Sequence, residues 1–146
     1  MAKAISIEEA RARGYLVVPK RNKYGVDISP KGKAARTYRG RCYDSRMEMK
    51  YAIHLDYLVS AGDVADWIPQ PSVQLGEDTA FRPDFLVIEK TGIPYYVDVK
   101  GKETPRFRMI KKLWAKYGRL NLHVVKYVKG QLQTTEIIEG GANLPK

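Results

Sequence analysis

Cysteine and histidine are scarce in this chain of 146 residues, which contains one cysteine, Cys42, and two histidines, His54 and His123. A single cysteine excludes an internal disulfide framework and a Cys-rich zinc site. Two histidines cannot complete a zinc cluster without other ligands. This composition favours a reducing, cytoplasmic setting.

Long hydrophobic runs are also missing. The longest apolar stretches are short, as in residues 85–88, whereas a helix needs about 20 apolar residues to span a bilayer. Glu8 and Glu9 precede any hydrophobic run, which is not typical of a signal peptide. We therefore expect no membrane partner.

Positive charge is abundant and unevenly distributed. The chain has 26 Lys and Arg against 16 Asp and Glu, a net charge of +10. Residues 19–46 contain nine basic and two acidic residues, whereas residues 47–146 contain 14 and 12. A basic segment of this kind suits a polyanion, because neutralised phosphates release counterions. The pattern favours nucleic acid as a partner, and the alternative is a solvated basic tail.

Two regions are predicted from this distribution and from the turn residues. Residues 1–44 are interpreted as a short N-terminal helix, opening at Ser6, followed by a basic arm. The many Pro and Gly residues of positions 19–44 predict that this arm is extended and poorly packed. Residues 45–146 are interpreted as a folded core domain.

A helix is predicted over residues 45–61, with Ser45 as N-cap, Glu48 in capping-box position and Gly62 after its end. Helical periodicity puts Glu48 in the middle of the apolar stripe. Two interpretations stay open: Glu48 is a cap facing water, or an inward carboxylate that needs a partner or a metal ion. Met49, Ile53 and Tyr57 form a second apolar side, suited to a partner subunit.

The remaining elements predict an α+β fold with a mixed sheet. Strands are expected over residues 67–75, 82–89, 95–101, 120–128 and 132–138, with a helix over residues 105–117. The tight turn between residues 89 and 95 makes its two strands antiparallel. The strand–helix–strand unit of residues 95–128 makes a parallel crossover.

Three charged residues converge in this scheme. Asp84, Asp98 and Lys100 fall on one face of the predicted hairpin, because side chains alternate between the faces of a strand. A turn near Gly92 pairs residues whose numbers sum to 182 or to 184, which sets either Asp98 or Lys100 opposite Asp84. Opposed carboxylates destabilise a sheet unless a cation lies between them. The alternative interpretation is a surface ion pair.

Pro83-Asp84 followed after 13 residues by Asp98-Val99-Lys100 resembles the motif of the PD-(D/E)XK nuclease superfamily. The predicted order αβββαβ is similar to the restriction-endonuclease-like core of that superfamily, and Glu48 matches the additional acidic residue of many members. Within it the chain resembles phage endonuclease I and related Holliday junction resolvase-like phage endonucleases. Further segments carry this resemblance: Asn22–Gly25, Tyr43–Glu48, Gln70-Pro71 and Lys111–Trp114.

The resemblance implies a Mg²⁺-dependent DNA endonuclease that hydrolyses phosphodiester bonds in branched DNA, including Holliday junctions. It implies Asp84, Asp98, the Val99 backbone carbonyl and Glu48 as metal ligands, with Lys100 as the catalytic lysine. We expect Mn²⁺ to replace Mg²⁺, the protein to be a homodimer and, if it is phage-encoded, its location to be the host cytoplasm. The alternatives are a restriction-type or repair-type nuclease acting on duplex DNA, and a non-catalytic nucleic-acid-binding protein.

Seven basic residues are predicted to contact DNA. Three belong to the basic arm, one follows the Asp-Val-Lys segment, and three lie on the basic face of the predicted helix over residues 105–117. The alternative interpretation of that face is a solvated surface without DNA contact. The seven residues are Arg36, Arg39, Arg41, Lys102, Arg108, Lys111 and Lys112.

Overall fold

The structure is a computed structural model, and it describes residues 26–142. The chain divides into two compact units, residues 1–49 and residues 50–146, which are described separately here. The predicted N-terminal helix and residues 19–25 of the predicted arm lie outside the described residues.

Residues 30–42 form a helix and a hairpin, which corrects the prediction that the arm is extended there, while most of these residues are exposed, as poor packing predicts. Helix α1 (Pro30–Ala35) begins after Ser29, whose side chain accepts a hydrogen bond from the Gly32 N–H. Strands β1 (Thr37–Tyr38) and β2 (Arg41–Cys42) then form an antiparallel hairpin. The prediction of an extended chain was wrong because glycine and proline mark turns as readily as they mark extended chain.

Helix α2 (Arg46–Ala61) runs from the end of the first unit into the second. Its start is capped as predicted, since the Glu48 N–H donates to Ser45 Oγ at 3.1 Å. Tyr51, Ala52 and Leu55 of the predicted stripe are buried, whereas Val59, which belongs to the same stripe, is exposed. On the second apolar side, Ile53 and Tyr57 are exposed, with 42% and 68% of their surface accessible.

The second unit contains a five-stranded mixed sheet, which confirms the predicted α+β class. Its strands are β3 (Val64–Pro69), β6 (Phe85–Glu89), β7 (Tyr95–Val99), β8 (Leu122–Val128) and β9 (Gln131–Ile138). They lie side by side in the order β3-β6-β7-β8-β9, and all neighbours are antiparallel except the parallel pair β7 and β8.

A small hairpin between β3 and β6 was not predicted as such. Strands β4 (Val73–Leu75) and β5 (Thr79–Phe81) pair with each other and not with the main sheet. The expected single strand over residues 67–75 is therefore divided between β3 and β4. Leu75 of this hairpin is fully buried in the core.

Helix α3 (Pro105–Tyr117) packs on one face of the sheet and has the predicted bounds. Its buried residues join side chains of β4 and β8 in one hydrophobic cluster: Leu75, Phe107, Ile110, Trp114, Leu122 and Val124. The other face of the sheet has a second apolar layer, in which the Phe85 ring packs against Tyr51 of α2 and against Trp67. No helix in the described part of the chain is both long and apolar enough to cross a membrane.

Candidate functional site

The site begins where strands β6 and β7 stop pairing. The register pairs Phe85 with Val97 and Leu86 with Tyr96, so paired numbers sum to 182. Of the two registers considered, this one directs Asp84 towards Asp98. Asp84 directly precedes β6, and its Oδ2 accepts a hydrogen bond of 2.7 Å from the Val99 N–H.

Asp98 is the buried member of the pair, with 2% of its surface exposed. Its Oδ2 forms an ion pair with Lys100 Nζ at 2.9 Å. Burial raises the pKa of Asp98, opposed by the charge of Lys100 and by hydrogen bonds with Lys100 and with the side chain and backbone of Asp84. The desolvation of the carboxylate thus outweighs the stabilisation that its partners give.

Lys100 follows β7 and joins the two acidic residues at this end of the sheet. Its backbone N–H donates to the Val125 carbonyl at 2.8 Å, and 25% of its side chain is exposed. The ammonium also lies 4.4 Å from the ring centroid of Phe107, in cation–π contact. All three predicted residues of this cluster therefore lie together.

Phe107 is a site residue that the sequence analysis did not identify. It lies in the first turn of α3, where its N–H donates to the N-cap side chain of Thr104 at 3.1 Å. Its ring is buried, and the periodicity of α3 marks it only as a core residue. The contact with Lys100 depends on where α3 crosses the end of β7, which no local pattern reports.

Glu48 belongs to the first unit. Its side chain is 7% exposed, as its position in the apolar stripe of α2 predicted. Burial of the side chain fits the inward interpretation better than that of a cap facing water. Its assignment as a metal ligand stays a prediction.

Within residues 26–142, no three His, Cys, Asp or Glu side chains are grouped closely enough to hold a metal ion. Asp84 and Asp98 supply two carboxylates. A metal ion held by this pair would need further ligands from the backbone or from water. The two histidines lie elsewhere: His54 is exposed, and the ring of His123 in β8 stacks on Tyr95 at 3.9 Å.

Two of the residues predicted to contact DNA are engaged in contacts within the fold, and their contact with DNA stays a prediction. Arg36 is 6% exposed, and its guanidinium donates to the backbone carbonyls of Asp27 and Tyr43. Lys111 forms ion pairs of 2.9 Å with Glu103 and with Glu136. The pKa of Lys111 is raised, and the largest cause is the hydrogen bond to Glu103. Both residues are engaged within the fold, whereas the other five are exposed: Arg39, Arg41, Lys102, Arg108 and Lys112.

The comparison with protein families gives one match. The family described as "Protein of unknown function (DUF1064)" matches residues 30–131, more than two thirds of the chain. The protein belongs to this family. The DUF1064 match extends from α1 to the first residue of β9 and includes the three residues Asp84, Asp98 and Lys100. Neither the curated proteins nor the solved structures gave a match.

Proposed function

We propose that this protein is a Mg²⁺-dependent DNA endonuclease of the PD-(D/E)XK type, hydrolysing phosphodiester bonds. The observation that carries the proposal is the buried Asp98 carboxylate, in contact with both Asp84 and Lys100. Burying a carboxylate costs free energy, and the raised pKa of Asp98 shows that its partners do not fully offset that cost. Residues with strongly perturbed pKa values are concentrated at functional sites.

The donor set fits a magnesium ion. Mg²⁺ prefers oxygen ligands and is usually held by one or two carboxylates together with water. In this proposal Asp84 and Asp98 hold the ion and the Val99 carbonyl is a further ligand, while the role of Glu48 stays a prediction to be tested by mutation. When bound, the ion would stabilise negative charge on the phosphate and lower the pKa of a coordinated water. Mn²⁺ has similar ligand preferences, and we expect it to substitute.

Lys100 is the proposed catalytic lysine. Its ammonium is fixed on one side by Asp98 and on another by the Phe107 ring, yet a quarter of the side chain is exposed. An ammonium held in this way can donate a hydrogen bond to a phosphate oxygen or to the attacking water. It adds positive charge where negative charge develops during hydrolysis.

Branched DNA is the proposed substrate, as the resemblance to phage resolvase-like endonucleases suggests. Exposed Lys102, Arg108 and Lys112 supply charge for phosphate contacts. Resolution of a four-way junction requires two symmetric cuts, and a two-fold dimer supplies two identical sites. The exposed apolar side chains of Ile53 and Tyr57 on α2 support a homodimer.

A non-catalytic DNA-binding protein is the second candidate, and one observation favours it. The ion pair of Asp98 with Lys100 and the hydrogen bond from Val99 to Asp84 also stabilise the end of the β6–β7 hairpin. A purely structural cluster would have the same contacts. Cleavage, not binding, therefore separates the two candidates.

The test compares a four-way junction with a linear duplex of the same sequence. Each is incubated with the protein in Mg²⁺, in Mn²⁺ and in EDTA, with Asp84→Asn prepared in parallel to reveal a contaminating nuclease. We expect junction cleavage in either metal, none in EDTA, and much weaker cleavage of the duplex. Equal cleavage of both substrates would indicate a duplex-acting nuclease of restriction or repair type. Binding without any cleavage would support the non-catalytic candidate.

The homodimer is tested with a cruciform in a supercoiled plasmid. The first nick relaxes the plasmid and removes the cruciform, so linear product requires both cuts within one encounter. Two sites on one dimer raise the effective concentration for the second cut. Mixing wild type with Asp84→Asn should then raise the nicked fraction. A monomer in sedimentation, with nicked circles as the main product, would contradict the dimer.

A further inference from the structure

The tip of the β1–β2 hairpin has an unusual arginine. Arg39 and Gly40 connect the two strands, and both have positive φ angles, 49° and 79°. A two-residue turn of this kind prefers Asn followed by Gly, because long side chains rarely adopt the left-handed region. Lys129 and Gly130 form the β8–β9 turn with nearly the same angles, 50° and 81°. Backbone conformation alone therefore does not distinguish the first hairpin.

What distinguishes it is that two guanidinium groups lie over tyrosine rings within cation–π distance. Arg39 lies over the Tyr38 ring at 5.5 Å from the centroid, and Arg41 lies over the Tyr43 ring at 5.9 Å. Both arginines are exposed. The sequence from residue 28 to residue 43 contains five basic residues and no acidic one. A cation–π contact limits the orientations of an arginine side chain, and the planar guanidinium fork matches the geometry of a phosphate.

The base of the hairpin is held by buried Arg36. Its Nε donates to the Tyr43 carbonyl at 2.7 Å, and its Nη1 donates to the Asp27 carbonyl. The Tyr43 N–H donates back to the Arg36 carbonyl at 3.0 Å. The Thr37 hydroxyl donates to the backbone carbonyl of Lys33 in α1 at 2.7 Å. The tip is thus presented from a fixed base, which reduces the conformational entropy lost on binding.

We propose that this hairpin tip is a preformed contact for the phosphates of double-stranded DNA. Arg39 and Arg41 make the contacts, while Arg36 is a positioning residue. The inference rests on the proposed function for the identity of the polyanion as DNA. The sequence analysis predicts an extended arm in which all three arginines contact DNA. The proposal instead gives the DNA contact to two arginines of a folded hairpin and a positioning role to the third.

The decisive variant is Arg39→Asn, because it should change stability and binding in opposite directions. Asparagine suits the turn, so the melting temperature should stay the same or rise. DNA affinity should fall on the order of tenfold, as for the loss of a hydrogen bond to a charged group. The slope of log affinity against log salt should become shallower by about 0.9, the contribution of one phosphate.

Lys129→Asn is the matched control, since it makes the same turn replacement and removes one positive charge elsewhere. It should leave affinity and salt slope close to the wild-type values. Equal losses in the two variants would overturn the proposal in favour of general electrostatic attraction. An unchanged Arg39→Asn affinity would also overturn it.

Three further comparisons keep this inference separate from the proposed function. If wild type and Arg39→Asn bind and cut DNA equally, the hairpin inference fails and the nuclease proposal stands. If wild type never cuts DNA but Arg39→Asn lowers its DNA affinity, the hairpin inference stands and the nuclease proposal fails. An affinity loss measured on duplex RNA and not on duplex DNA would overturn DNA as the partner.

Discussion

Charged side chains are used differently in the two units of this protein. In residues 50–142 the central charge, Asp98, is almost fully buried and is held by an ion pair on a rigid sheet. In residues 26–49 the charges of Arg39 and Arg41 are exposed on a hairpin, and the buried arginine, Arg36, is bound by backbone carbonyls. A buried charge costs free energy and needs a reason, whereas an exposed charge costs little and adds affinity. The comparison supports our proposals of chemistry at the sheet and of DNA binding at the hairpin.

The largest effect is expected from Asp84→Asn and Asp98→Asn. Each removes a proposed metal ligand, and loss of metal-assisted catalysis should reduce cleavage by about 1,000-fold or more. DNA affinity should stay the same or increase, because one negative charge near phosphate is lost. Single-turnover cleavage and gel-shift affinity measure the two effects.

Asp63→Asn is the matched control for these variants, because Asp63 is an exposed aspartate in the same unit. It should cleave at the wild-type rate. Near wild-type cleavage by Asp84→Asn or Asp98→Asn would remove that residue from the site. If Asp84→Asn or Asp98→Asn lost DNA binding together with cleavage, the catalytic role of the sheet and the DNA-binding role of the hairpin would not be separate.

Glu48→Gln tests the one buried acidic residue in the described part of the first unit, residues 26–49. If Glu48 supports the metal, cleavage should fall about 10-fold to 100-fold at low Mg²⁺. Glutamine keeps the volume and leaves the Ser45 cap intact, since that cap binds the backbone N–H of residue 48. Cleavage is compared with the melting temperature across a Mg²⁺ titration. If Glu48→Gln cleaves DNA at the wild-type rate, Glu48 does not support the metal, and DNA binding would be the role that remains for the first unit.

Local sequence signals predicted the elements that have local causes. Thr104 and Pro105 start α3, and Gly118 follows its end, so the predicted helix over residues 105–117 is the observed one. The β6–β7 register was narrowed to two alternatives from the position of the turn. The β4–β5 hairpin was missed because its strands have three residues each, which is too short for an alternating pattern to be recognised in the sequence.

The contacts that depend on distant segments escaped prediction. The sequence analysis predicts a DNA contact for Arg36 because the positive charge is visible in the sequence. The hydrogen bonds that hold the buried guanidinium against two backbone carbonyls are not visible there. Lys111 is predicted to contact DNA for the same reason, although Glu136 pairs with it from β9. The contact between Phe107 and Lys100 requires α3 to cross the end of β7. Periodicity reports which face of an element is buried and says nothing of what covers it.

Phe107→Leu should lower cleavage by about tenfold. Leucine keeps most of the buried volume and removes the ring face that contacts the Lys100 ammonium, an interaction of about 1–2 kcal/mol when it is desolvated. Phe107→Tyr retains the ring face and should restore most of the rate. The measurement is single-turnover cleavage at saturating Mg²⁺ and DNA.

Phe81→Leu controls for loosening of the core, because the Phe81 ring packs 6.3 Å from that of Phe107 in the same cluster. It should lower the melting temperature with little change in cleavage rate. If the Phe81 and Phe107 variants lose activity in proportion to their loss of stability, Phe107 acts only as a core residue. In that case the position of Lys100 depends on Asp98 alone.

The smallest effect concerns stability, and it tests the physical basis of the comparison. Because burial raises the pKa of Asp98, the folded protein binds a proton more tightly than the unfolded chain does. Stability therefore falls as the pH rises from the unfolded-state value, about 3.9, through the raised folded-state pKa. Asparagine does not ionise, so Asp98→Asn should raise the melting temperature at pH 7–8. Lys100 loses its partner in this variant but is partly exposed, so water can hydrate it.

The pH dependence of that gain distinguishes a costly charge from an ordinary change in packing. The difference in melting temperature between Asp98→Asn and wild type should shrink as the pH falls towards 4, because wild-type Asp98 then becomes neutral as well. Mg²⁺ should also reduce the difference at neutral pH by stabilising wild type alone, since a ligand that binds only the folded state adds to its stability. Asp63→Asn should respond to neither change. A destabilised Asp98→Asn at neutral pH would mean that the ion pair with Lys100 outweighs the burial of the carboxylate, and the strongest argument for a catalytic site on the sheet would be lost.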